Sequence, residues 1–246
     1  MPRFLLVLVL FLIAGAGAAN AQMFAYEPNR TGPISSLSVG AYLTSFTYKG
    51  VTQGNTSFEF DNPALAIRFT RPGVDLHIIY GWNGGETEDR KLIEASLDAW
   101  SGILLTGRSA TRVYLPLALH SGYRAIGSDL STNQAVELFN FTTLGLGTGL
   151  VLERRFGNDL QLQARAITVV GLALRSFEGF AGDTRLFDAD VDLNFLRLFG
   201  RYGITLSYGF RWQEWDLNAE RFLEITNADA FDYSGTMHMF RVGLNW

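Results

Sequence analysis

Phe240-Arg241-Val242-Gly243-Leu244-Asn245-Trp246 is the stretch whose reading decides the fold. Successive side chains of a strand point to opposite faces. Phe240, Val242, Leu244 and Trp246 therefore share one face, and Met239, Arg241, Gly243 and Asn245 the other. The first face is oily and ends in a ring suited to a membrane–water boundary; the second is largely polar or small. A soluble sheet gains little by stopping flush on a Trp, whereas the closing strand of a barrel in lipid does.

The other terminus agrees with that compartment. Met1-Pro2-Arg3 is a short positive start, Phe4 to Ile13 is apolar, and Ala19-Asn20-Ala21 carries small residues where a signal peptidase reads. The apolar run is shorter than the ~20 residues a helical span needs. Residues 1–21 are expected to be a cleaved signal peptide, and 22–35 an extended periplasmic segment. The chain has no cysteine, which excludes a thiol-linked lipid anchor and a disulfide scaffold. Hydrophobic residues make up 48% of the chain, yet after the signal no long apolar run remains. The oily residues must be spread by alternation. A net charge of −4 argues against a nucleic-acid partner. Lys49 and Lys91 are the only lysines among 20 basic residues, a bias that suits guanidinium networks in confined polar space.

Period-2 runs predict about ten strands, near 36–49, 56–71, 73–81, 91–106, 111–125, 138–155, 159–175, 190–199, 202–215 and 235–246. In the clearest of them Leu160, Leu162, Ala164, Ala166, Val170, Leu172 and Leu174 oppose Gln161, Gln163, Arg165 and Arg175. Three irregularities leave counts of eight or twelve open. The phase in 56–71 changes at Asp61-Asn-Pro63, which reads as a bulge; run 138–155 slips near Thr143; and Pro116 sits inside a strand.

The connections alternate in length. Tight turns at Arg71–Val74, Gly107–Ala110, Phe156–Asp159 and Phe199–Gly203 alternate with longer stretches at Lys49–Thr56, Trp82–Arg90, Gly127–Glu137, Ser176–Ala189 and Asp216–Gly235. Short periplasmic turns and long outer loops are the pattern of an outer-membrane barrel. Lipid offers no partner to an unpaired backbone group, so residues 36–246 are expected to close into an all-β, antiparallel transmembrane β-barrel. Girdle aromatics are expected at Tyr80, Trp82, Tyr123, Phe177, Trp212 and Trp215 near the long loops, and at Trp246, Phe69 and Phe199 near the turns.

Ala19-Asn-Ala21, the stretch from Phe240 to Trp246 and the hairpin Gly145–Arg165 together resemble small bacterial outer-membrane barrels of the OmpA, OmpX and OmpW kind. The resemblance implies that Phe240, Val242, Leu244 and Trp246 are the signal read by the barrel-assembly machinery, with Trp in place of the commoner Phe. It also implies passage with periplasmic chaperones and a final setting of outer-membrane lipid and lipopolysaccharide. It implies no individual activity.

The inner parity holds Asp75, His77, Glu94, Ser96, Asp98, Arg112, Arg124, Arg165, Arg175, Arg211 and Arg241. A bore this narrow requires charges of both signs to meet one another. The reading adopted is a lumen filled by an Arg/Asp/Glu network; a narrow passage for small solutes is the alternative, with Gly145, Gly147 and Gly149 leaving local room. A lipid A-modifying enzyme or protease at the outer rim is the third reading, and the search for it is short because the chain has three histidines. Asp75 and His77 share a face near the periplasmic end. His120 lies nearer the outer rim with Ser121 and Glu137 about it. His238 falls on the lipid parity. None forms a recognisable catalytic motif, so no catalytic residue, metal ligand or cofactor is expected.

The long loops read as acidic: Glu86, Glu88 and Asp89 in one, Asp183 and Asp188 with Asp190 at its edge in another, and Glu220, Glu224, Asp229 and Asp232 in the last. Divalent cations bridging such carboxylates to lipopolysaccharide phosphates would give them a role. The expectation is a monomeric outer-membrane protein with a structural or surface-contact role.

Overall fold

The computed structural model describes residues 34–50, 59–84, 89–106, 110–129, 135–175, 179–217 and 231–246. They form ten strands: β1 (Ser36–Gly50), β2 (Glu59–Arg71), β3 (Val74–Gly84), β4 (Asp89–Leu104), β5 (Thr111–Asp129), β6 (Ala135–Phe156), β7 (Leu160–Arg175), β8 (Gly179–Phe199), β9 (Tyr202–Leu217) and β10 (Phe231–Asn245). Each pairs antiparallel with its sequence neighbours, and β1 pairs with β10, so the sheet closes. Except for β2 and β7, the strands run further toward the long connections than alternation indicates. The expected signal peptide and most of 22–35 fall outside the described residues; Ser35 extends the closing seam through backbone bonds to Trp246 at 3.0 and 3.2 Å.

Following directly opposed residues around the ring from Leu37 leads back to β1 at Lys49, a stagger of 12 residues. With strands ~4.8 Å apart and a rise of ~3.4 Å per residue, that stagger implies a tilt of about 40° and a backbone radius of about 10 Å. Side chains from opposite walls meet across such a bore.

The barrel is inside out. Leu37, Val39, Leu43, Leu65, Ile67, Ile78, Ile93, Leu117, Leu146, Val170, Leu206, Phe240, Val242 and Leu244 are all exposed on its outer face, at 42 to 68% of their surface. Arg68, Asp75, His77, Glu94, Arg124, Arg165, Asp190, Arg211 and Arg241 are each at most 5% exposed. Tyr80, Trp82 and Tyr123 face outward toward the long-connection end, and Trp246 and Phe199 toward the other. Trp215, expected in the outer girdle, is instead 1% exposed, because its odd parity on β9 turns it into the bore with Arg211 and Gln213. Phe177 lies outside the described residues.

Two of the three irregularities resolve differently from expectation, and the third, Pro116 inside a strand, holds. β2 pairs with β1 in one unbroken register from Thr70 to Glu59, so Asp61–Pro63 carries no bulge. The β6 ladder is regular at Thr143; its slip falls opposite Ile126 and Gly127, where Leu138 is the extra residue. Pro116 pairs toward β4, while the β5–β6 ladder skips Leu115 and Pro116. The proline therefore takes a position that needs no N–H toward β6, and its carbonyl accepts a bond from Thr148 Oγ1 at 2.8 Å.

Pro72-Gly73 joins β2 to β3 with Gly73 at φ 74°, the pairing of Pro with a left-handed Gly that a type II turn requires. Arg197 departs from the rule: its φ is 58°, in a bulge where the β8–β9 register jumps from Phe195 to Phe199. A non-Gly residue there costs on the order of 1–2 kcal/mol.

Candidate functional site

The bore holds two connected storeys. The charged one lies toward the short-turn end and is tied both between neighbouring strands and across the lumen. Arg68 of β2 grips Asp75 of β3 with Nε at 2.8 Å and Nη2 at 2.5 Å, and reaches Asp192 of β8 with Nη1 at 3.0 Å. Arg165 of β7 lies 2.7 Å from Asp190 of β8 and 3.1 Å from Asp75. Arg241 of β10 donates to Asp190 and, at 3.4 Å, to Tyr42 Oη. Arg211 of β9 holds Asp188 at 2.6 Å and Glu94 of β4 at 2.9 Å. In the ten-strand ring β4 and β9 stand five places apart, so that last bond spans the barrel's full width. Glu94 also takes Arg124 Nε at 2.8 Å.

Burying these ions is tolerable only because each has an opposite charge close by. Asp75, Glu94, Asp98, Asp188, Asp190 and Asp192 face Arg68, Arg124, Arg165, Arg211 and Arg241, all from the inner parity. His120 Nδ1 lies 2.6 Å from Asp98 Oδ1. His77 Nδ1 meets Tyr42 Oη at 3.1 Å, and its Nε2 lies 3.1 Å from Asp75 Oδ1 without the alignment of a hydrogen bond.

Above this network, toward the long connections, the bore turns apolar. Ile79, Leu92, Ile126, Phe141, Ala173, Trp215, Tyr233 and Met237 are buried on the inner face in one cluster with Tyr42 and Met239. Arg124 bridges the storeys, stacked over the Trp215 ring at 4.6 Å. A second cluster of Ala118, Ile167, Val169 and Leu186 fills the wall between β5 and β8. Between the storeys, Glu94, His120, Arg124 and Trp215 line a small pocket of about 10 Å³, roughly one water's worth.

Asp75, His77, Glu94, Asp98, Arg124, Arg165, Arg211 and Arg241 thus lie together in the bore. Arg112 does not join them. It is half-buried at the short-turn mouth, opposite Glu153, which accepts from Tyr114 Oη at 3.5 Å. Arg175 ends β7, and its side chain lies outside the described residues. Sequence reading passed over Arg68, Asp188, Asp190 and Asp192. The expected strand 190–199 leaves Asp188 in an outer loop and Asp190 at its edge, but β8 begins at Gly179 and carries both into the lumen. The signal was present: Asp188, Asp190 and Asp192 alternate with Ala189, Val191 and Leu193.

The inward glycines leave no room. A Cβ on Gly145 would stand 2.5 Å from Val169 Cγ1, and one on Gly149 would stand 1.9 Å from the Ala166 carbonyl oxygen. His120 is 2% exposed in the bore, away from the rim where a surface enzyme would need it. His238 faces outward and bonds Tyr208 Oη through Nδ1 at 2.9 Å.

No family model and no curated protein matches the chain. Solved structures do. The outer membrane protease OmpT of Escherichia coli aligns over 92% of this chain and 99% of its own, at 9% identity and a TM-score of 0.41. The translocator domain of the autotransporter NalP from Neisseria meningitidis aligns over 96% of each chain at 12% identity and a TM-score of 0.36. The outer membrane protein OprG from Pseudomonas aeruginosa aligns over 88% of this chain and 97% of its own, at 8% identity and a TM-score of 0.36. The chain is similar to small bacterial outer-membrane β-barrels. At such identities the likeness concerns fold alone, and none of the three proteins' activities passes to this chain.

Proposed function

We propose that the protein is an integral outer-membrane barrel with a sealed bore, serving a structural and surface-contact role rather than conduction. The observation that carries this reading is the set of ion pairs joining opposite walls, above all Arg211–Glu94 and Arg68–Asp192, beneath an apolar storey. A hydrated pore keeps charges on its walls apart; here the Arg211 guanidinium of β9 reaches Glu94 of β4, five strands away. Opening a passage would leave carboxylates and guanidiniums unpaired in a narrow bore, which is strongly disfavoured. The barrel is read as a monomer that travels with periplasmic chaperones and inserts through the assembly machinery. The exposed face formed by Phe240, Val242, Leu244 and Trp246 supports that route.

Planar-bilayer recording of the refolded protein tests this reading. The expected result is silence in the wild type. Removing the cross-bore tie in Arg211→Ala together with the cap in Trp215→Ala is expected to produce leak events. Stable, ohmic openings in the wild type would replace the sealed barrel with the channel reading.

A further inference from the structure

A basic collar surrounds the short-turn end of the barrel. Arg71 closes β2, Arg154 and Arg155 close β6, Arg197 lies in the bulge of β8, and Arg201 lies in the turn to β9. Pairing of Gln161 with Asn194 sets the β6–β7 and β8–β9 turns side by side on the rim. Arg71, Arg154, Arg197 and Arg201 are exposed. The ion pairs of the described residues lie in the lumen and engage none of these four. Outside the lumen, the described acidic side chains at this end are Asp159 and Glu153, and Glu153 faces Arg112. The connections at the opposite end are acidic in sequence, so the barrel is electrically polar along its axis.

The collar is also greasy. Phe156, Leu198, Phe199 and Tyr202 are exposed between the arginines, at 45, 52, 65 and 38%. The Arg154 guanidinium stands 5.0 Å over the Phe156 ring, and that of Arg201 4.8 Å over Tyr202. A ring with a cation on its face suits the plane where acyl chains give way to headgroups. Arg197 is held in the left-handed region, an outlier that structure keeps only where something over-determines it.

We infer that this collar binds the phosphate headgroups of anionic phospholipids in the periplasmic leaflet. The inference rests on the membrane reading above. Guanidinium forks match phosphate oxygens in pairs, and the apolar side chains beside them fix the arginines at phosphate depth. A soluble acidic protein would have to dock on a rim whose rings already face lipid.

The test uses the full mature protein in phosphatidylcholine vesicles carrying spin-labelled phosphatidylglycerol or spin-labelled phosphatidylcholine, read as the motionally restricted fraction of each. One basic side chain at an anionic surface favours it by about fivefold. A preference for phosphatidylglycerol of about that size or larger is expected. It should fall toward one in ~1 M salt and in R71Q/R154Q/R197Q/R201Q, while the matching four-lysine variant keeps most of it. Equal restriction of the two lipids by the wild type, or a preference untouched in the glutamine variant, overturns the collar and leaves the membrane barrel intact. No restricted fraction of either lipid overturns the membrane reading, and the collar falls with it.

Discussion

Asp190→Asn keeps the shape of a side chain that serves three guanidiniums and removes the charge that holds them. Asp190 accepts from Arg241 and lies 2.7 Å from Arg165 and 3.4 Å from Arg68. Arg68 and Arg165 retain Asp75, and Arg68 retains Asp192. Among the described residues, Arg241 then has no charged partner and keeps Tyr42 Oη at 3.4 Å and the Met239 sulfur at 3.9 Å. Breaking a buried pair by removing one partner costs about 3–5 kcal/mol, because an uncompensated charge stays behind. The variant is expected to lose about that much in reversible urea unfolding from lipid vesicles. Arg241→Met added to Asp190→Asn removes the stranded charge and should recover part of the loss, a coupling of about 1–3 kcal/mol. A single variant within about 0.5 kcal/mol of wild type would refute the reasoning, since it would mean that water or another group already compensates Arg241.

Other perturbations have equally definite outcomes. Gly149→Ala forces a Cβ against the Ala166 carbonyl at 1.9 Å and should cost about 1–3 kcal/mol by overpacking; a neutral effect in the same unfolding measurement would show that the β6–β7 ladder yields there. His120→Ala leaves Asp98 with Arg211 at 4.0 Å and should destabilise by about 1–3 kcal/mol while lipid A acylation and peptide cleavage stay as in the wild type; loss of either activity relative to wild type would assign His120 a catalytic role. Trp246→Ala removes the ring that lies 6.5 Å from Phe69 at the closing seam. It should slow assembly into the membrane more than it lowers the unfolding midpoint, and an unchanged assembly rate would remove the terminal ring from the signal.

The fold was legible because lipid imposes a strict period. Phe240 to Trp246 shows it without interruption and Leu160 to Ala166 repeats it, before Ile167, Thr168 and Val169 blur the pattern, and the closing β1–β10 seam follows from the ban on free edges. The strand ends were less legible. Alternation weakens where the outward residues are themselves polar: Asp183 and Arg185 are exposed on β8, so the pattern points to a start at 190 although the strand begins at Gly179. The late start leaves Asp188 in a loop and Asp190 at its edge, and the bulge expected at Asp61–Pro63 obscures the phase of β2 that turns Arg68 inward. The apolar storey was hidden for a different reason. Ile79, Leu92, Ile126 and Trp215 are oily residues on a face expected to be polar, and hydropathy alone cannot distinguish a lipid neighbour from a lumenal one. The inward glycines show the same limit: sequence reveals a missing side chain, while only packing shows that Val169 and the Ala166 carbonyl occupy the place.

The central claim is that the barrel is inside out, and β10 offers the most direct measurement. The chain contains no cysteine, so single cysteines can be placed one at a time from Met237 to Leu244, spin-labelled, and compared for collision with oxygen in the bilayer. The account predicts a two-residue oscillation, with His238, Phe240, Val242 and Leu244 positions accessible to oxygen and Met237, Met239, Arg241 and Gly243 positions shielded. A flat profile, or one with the opposite phase, would contradict it.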